Sequence, residues 1–127
     1  MCDVEQSKVS VLPKTWILDL DGTLVKHNGY KLDGKDSWLA GAKEFLDKIP
    51  QEDMIIFLTS RTEEYRQITL EFLNENHIRY HEIIFNAPYG ERILINDKKP
   101  SGMMTAIAVN TERDVFMRRK FVVDEEL

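Results

Sequence analysis

Two aspartates, Asp19 and Asp21, stand one residue apart at the end of the apolar run in TWILDLDGTLV, and Gly22 and Thr23 follow at once. Carboxylates that close a hydrophobic segment cost stability unless a ligand or a reaction uses them. An Asp-Gly step after a strand is by itself a turn signal. Asp19, however, falls inside the run, where a turn needs no carboxylate. Strand residues alternate faces, so the two side chains point the same way. Two later runs end in a comparable manner. MIIFL leads into Thr59, Ser60 and Arg61, and ILIN leads into Asp97, Lys98 and Lys99. Where such ends are neighbours, Asp19, Asp21, Asp97 and the Thr59 hydroxyl converge on one crevice. Like charges at that spacing call for a cation among them. Oxygen-only ligands of this kind suit Mg²⁺, which takes one or two carboxylates and fills its shell with waters and phosphate oxygens. Gly22 permits a sharp turn beyond the strand, and Thr23 can hydrogen-bond locally to fix Asp21. Thr59, with the amides of a following helix start, can cradle phosphate oxygens. Ser60 reads as the cap of that helix, with Glu63 three positions on. Arg61 leaves two readings open, a bidentate grip on phosphate or a surface position.

These residues need elements to hold them. WILDL is a β-prone run, followed by the polar stretch KHNGYKLDGKDS. Leu39, Ala42, Leu46 and Ile49 recur at helical spacing with Phe45 beside them, and Pro50 stops that helix. MIIFL reads as a buried strand. Tyr65, Ile68, Phe72 and Leu73 give the next helix its core face, which fades over residues 74–77. Further strands are predicted at 82–85, 92–95 and 105–109. Strands alternating with helices mean an α/β domain with a largely parallel sheet. Only NDKKPSGMM separates the last two predicted strands, too short for a parallel crossover, so the final strand should be antiparallel or a poorly formed edge.

Composition bounds the function. A chain of 127 residues that is 43% hydrophobic is expected to form one domain, with a core over about 14–110 and a solvated tail over 111–127. The net charge of −5 opposes a nucleic-acid partner, and an anionic substrate must be met by local cations or a metal. The one cysteine, Cys2, can form neither an internal disulfide nor a zinc site. No run is long enough to span a membrane, and the first residues lack the features of a signal peptide, so a cytoplasmic location is expected. GYKLDGKD is one residue short of a Walker-type phosphate loop, but Asp36 occupies the position that should carry Ser or Thr. A receiver domain needs its phosphoacceptor Asp at the end of a middle strand, where Thr59 stands instead.

DLDGTLV resembles the first motif of the haloacid dehalogenase-like (HAD) superfamily of phosphohydrolases. IIFLTSR is similar to its second motif and ILINDKKP to its fourth. The resemblance spans about residues 15–110. It implies a three-layer Rossmann-like core and a phosphatase in which Asp19 is the nucleophile and Asp21 the general acid and base. It also implies Mg²⁺ held by Asp19, the Asp21 backbone carbonyl and Asp97, with phosphate contacts from Gly22, Thr23, Thr59, Ser60 and Arg61. A carboxylate nucleophile divides a very slow hydrolysis into two easier steps.

One departure concerns the family's third motif, a Lys or Arg placed shortly before the fourth strand. FNAPYGER offers no lysine there. Arg92 begins the predicted strand, far from its active end, and Lys98 is the preferred substitute over Lys99, with Arg61 a further candidate. Too few residues lie between the motifs for a cap domain. The site should therefore be open, acting on a large phosphorylated molecule or on a small one enclosed by a second copy of the chain. The layout looks most like small bacterial HAD phosphatases of surface-carbohydrate biosynthesis, which implies a sugar phosphate or related metabolite. The alternative is a HAD-like binding or regulatory module without turnover.

Overall fold

The computed structural model describes residues 5–127; Cys2 lies outside them. The chain divides into two compact units. One comprises residues 13–89 together with 111–116, and the other comprises, of the described residues, 5–12, 90–110 and 117–127.

The first unit is α/β. Strand β2 (Thr15–Leu18), β3 (Met54–Leu58) and β4 (Glu82–Ile84) form a three-stranded sheet in the order β2-β3-β4, with both pairings parallel. Parallel neighbours need crossovers, and helices supply them. The short helices α1 (Gly29–Leu32) and α2 (Ala42–Asp47) lie between β2 and β3, and α3 (Arg66–Glu75) lies between β3 and β4. The predicted helical spacing holds in α2, where Ala42, Leu46 and the following Ile49 are buried. They join Leu20, Leu24, Ile55, Phe57, Leu73, Ile78 and Ile83 in one core. The second helix begins later than the Ser60–Glu63 signal predicts. A 3₁₀ turn over Glu63–Tyr65 precedes α3, with Thr62 at its N-cap and no side-chain capping bond. Its innermost residues are Leu73 and Thr69 rather than Ile68. At the opposite end of the sheet, the buried Asp53 accepts hydrogen bonds from the Lys14 amide (3.0 Å) and Trp16 Nε1 (2.9 Å), locking the starts of β2 and β3 in register.

In the second unit, β1 (Gln6–Val9) pairs in parallel with β5 (Lys120–Val123). The expected solvated end is therefore part of a sheet. The strands predicted at 92–95 and 105–109 are not formed, and no antiparallel edge strand is present among the described residues. Ile93, Leu94 and Ile95 are exposed instead. A short apolar run becomes a strand only where another strand takes its backbone hydrogen bonds and a layer covers its side chains. Ile93, Leu94 and Ile95 pair with no strand among the described residues and stay exposed.

Candidate functional site

Parallel pairing brings the carboxyl ends of β2, β3 and β4 to one edge of the sheet, the usual place for a ligand in an open α/β sheet. Asp19 follows directly on β2, and the chain turns sharply beyond it. Gly22 has φ 79°, a conformation that favours glycine. The amides of Thr23, Leu24 and Val25 all point back to the Leu20 carbonyl, at 3.2, 2.9 and 3.1 Å. This turn leaves Asp19 and Asp21 half-buried. Thr23 Oγ1 donates to Asp19 Oδ2 at 3.0 Å, so Thr23 fixes Asp19 and not, as the sequence suggested, Asp21.

Asp21 is held by Arg61. Arg61 Nε donates to Asp21 Oδ2 at 3.0 Å and a terminal nitrogen donates to Oδ1 at 3.1 Å. The other edge of the guanidinium forks onto Asp36, at 3.0 and 2.6 Å, and one more N–H reaches Thr69 Oγ1 at 2.8 Å. Those contacts use all five guanidinium donors. The Tyr30 ring covers the guanidinium face, its centroid 4.0 Å from Cζ. Burial alone would lower the Arg61 pKa. Hydrogen bonds to Asp36 and Asp21 and the charges of both outweigh it, so the pKa is raised and Arg61 is permanently cationic. Burial, followed by the nearby Asp21 charge, raises the Tyr30 phenol.

Neither sequence reading of Arg61 describes this arrangement. The side chain is 4% exposed and engaged on every donor, so it is neither on the surface nor presented to a phosphate. Thr59 is enclosed as well. Its hydroxyl accepts the Arg61 amide at 3.1 Å, which sets the path of the loop that aims Arg61 at Asp21. Ser60 does not cap the helix; its hydroxyl faces the Pro88 carbonyl at 3.5 Å.

Asp97, Lys98 and Lys99 belong to the other unit, where they are exposed. They lie on a loop tied by Asn96 Nδ2 donating to Thr105 Oγ1 (2.7 Å) and by the Lys99 amide donating to Met103 O (2.9 Å). Arg92 is exposed in that unit too. Among the described residues no three His, Cys, Asp or Glu side chains cluster closely enough to hold a metal. The donor set at the turn still fits a hard cation. Asp19 offers carboxylate oxygens, and the Asp21 carbonyl accepts no hydrogen bond among the described residues.

Sequence reasoning missed Asp36, Tyr30 and Thr69. Asp36 falls in a Gly-rich polar stretch and carries no signal that its partner is 25 residues away. It also missed residues 111–116. The Asp114 amide donates to the Gly22 carbonyl at 2.8 Å, and Asp114 Oδ1 accepts from the His27 amide at 2.7 Å.

No family model and no curated protein matches the chain. Two solved chains from the Pnkp1/Rnl/Hen1 complex are similar to it. One, from a structure of that complex, has a TM-score of 0.51 and 28% identity over 67% of this chain and 32% of its own length. The other, from a structure described as the Pnkp1/Rnl/Hen1 RNA repair complex, has a TM-score of 0.51 and 28% identity over 68% and 30%. This chain thus spans about a third of the length of the chains it resembles.

Proposed function

We propose that the chain is a cap-less HAD-like phosphomonoester hydrolase that depends on Mg²⁺ and works through an aspartyl-phosphate on Asp19. The observation that carries this reading is the pair of differently held carboxylates beyond β2, with Thr23 on Asp19 and Arg61 on Asp21. In the first step an Asp19 oxygen bonds to phosphorus as the ester P–O bond breaks, and Asp21 gives its proton to the leaving oxygen. In the second step Asp21 takes a proton from water, whose oxygen displaces Asp19 and releases phosphate. Arg61 is a positioning residue, since it fixes the Asp21 carboxyl without facing the substrate. Bound Mg²⁺ would offset the repulsion between Asp19 and the phosphoryl oxygens, with Asp19 and the Asp21 carbonyl as the ligands that this unit offers.

The substrate proposed is a small phosphorylated metabolite such as a sugar phosphate, enclosed by a second copy of the chain. The net charge of −5 supports a small substrate over a polyanion. The likeness to chains of an RNA repair complex favours a second reading, a phosphate at the end of an RNA strand. One experiment separates them: phosphate release in Mg²⁺ from a panel of sugar phosphates and from 5′- and 3′-phosphorylated RNA oligonucleotides. Release that vanishes with chelator is expected. No release from any ester would leave the non-catalytic binding module.

A further inference from the structure

The strongest unexplained feature beside the carboxylates is the segment over residues 111–116, which packs within the same unit although its flanks belong to the other. It is fastened on both sides of Arg113. Arg113 itself lies in a turn closed by the Val115 amide donating to Glu112 O at 3.1 Å. After it, Asp114 bonds to both Gly22 and His27, in a left-handed conformation at φ 65°. Phe116 anchors the end against Phe45, with ring centroids 5.4 Å apart. The Arg113 stem lies across the turn: a Cβ added to Gly22 would meet Arg113 Cγ at 3.2 Å and the His27 ring Nδ1 at 3.8 Å. Arg113 is exposed and makes no hydrogen bond or ion pair among the described residues. From Cγ, beside Gly22, a guanidinium has roughly 5 Å of further reach.

The electrostatics of the unit ask for such a group. Arg61 offers one positive charge to two carboxylates, and its donors are all committed. An incoming phosphate therefore meets no free cation from β3 or its loop. We infer that Arg113 is a phosphate-binding residue, supplied by a strap from late in the chain in place of the cation missing before residue 92. The ligand is a phosphoryl group or free inorganic phosphate seated over Gly22, gripped by the fork that Arg61 cannot offer. This inference rests on the phosphohydrolase reading only for its consequence in turnover.

The test uses wild type, Arg113→Ala, Arg113→Gln, Arg113→Lys and Lys98→Ala, each checked for an unchanged melting temperature. Turnover of 4-nitrophenyl phosphate and calorimetric binding of inorganic phosphate are both measured in Mg²⁺. Arg113→Ala and Arg113→Gln should lower kcat/KM about 10²-fold, the scale for a lost preorganised partner, and should weaken phosphate binding in parallel. Arg113→Lys should recover part of each. Wild-type protein that binds phosphate through Arg113, yet releases phosphate neither from 4-nitrophenyl phosphate nor from the ester panel above, ends the hydrolase reading and supports this one. Arg113 variants that match wild type in both measurements, a loss confined to Lys98→Ala, or wild type that binds no phosphate would each overturn it.

Discussion

In residues 54–61 an apolar run becomes the buried strand β3, and the polar residues after it turn inward, Thr59 fully enclosed and Arg61 nearly so. In residues 92–98 a run of nearly the same character lies exposed, and Asp97 and Lys98 beyond it are exposed too. What separates the two is their surroundings. Residues 54–58 have a strand on each side, and Ile55 and Phe57 share a core with residues of α2 and α3. Ile93, Leu94 and Ile95 have no such cover among the described residues of their unit. Charge follows burial: where the chain is covered, a cation must be fully partnered, and where it is open the same residue type can stay unsatisfied at little cost.

The largest expected effect lies on the covered side. Asp19→Asn should lower Mg²⁺-dependent phosphate release on the order of 10⁴–10⁶-fold, the scale for losing a covalent nucleophile, with circular dichroism unchanged. Activity near wild type in rigorously purified protein would end the nucleophile assignment.

Arg61→Leu comes next. It strands the buried Asp36 carboxylate, and breaking such a pair should cost about 3–5 kcal/mol of stability by denaturant titration. Adding Asp36→Leu should restore much of that loss. If Arg61→Leu is as stable as wild type, the contrast between covered and open cations fails.

Asp97→Ala sharpens the open side. It should stay within about 0.5 kcal/mol of wild-type stability by denaturant titration, as an exposed loop carboxylate does. A larger loss would show that the exposed loop is structural, and the contrast with the covered cation would fail.

The smallest effect concerns pH. Tyr30 has a raised pKa, so the folded state holds its proton above the ordinary tyrosine value near pH 10 where the unfolded chain has released it. Its contribution is complete below pH 10 and is lost as pH climbs through the folded value. Tyr30→Phe should therefore flatten the alkaline fall in unfolding free energy, and an unchanged slope would remove Tyr30 from the Arg61 cluster's electrostatics.

Much of the covered region was legible because its signals are local. Asp19 and Asp21 announce themselves inside an apolar run, and the α2 spacing and the β2, β3 and β4 runs need no distant information. The fork of Arg61 on Asp36 was not legible, because an aspartate in a polar Gly-rich stretch looks the same whether it faces water or a buried guanidinium. The missing strand at 92–95 failed for the opposite reason. Its local signal was good, and what decides a short apolar run is the cover that other segments provide.

The bond from the His27 amide to Asp114 joins residues 87 positions apart. At typical synthesis speeds the second partner follows the first by roughly 4–17 s, long after the sheet of β2, β3 and β4 has all its strands available. A nascent chain can therefore own both aspartates, fully clamped by Arg61 and Thr23, while the rim of the turn is still bare. Completion of the turn's rim waits for residues 111–116, and that late piece carries Arg113.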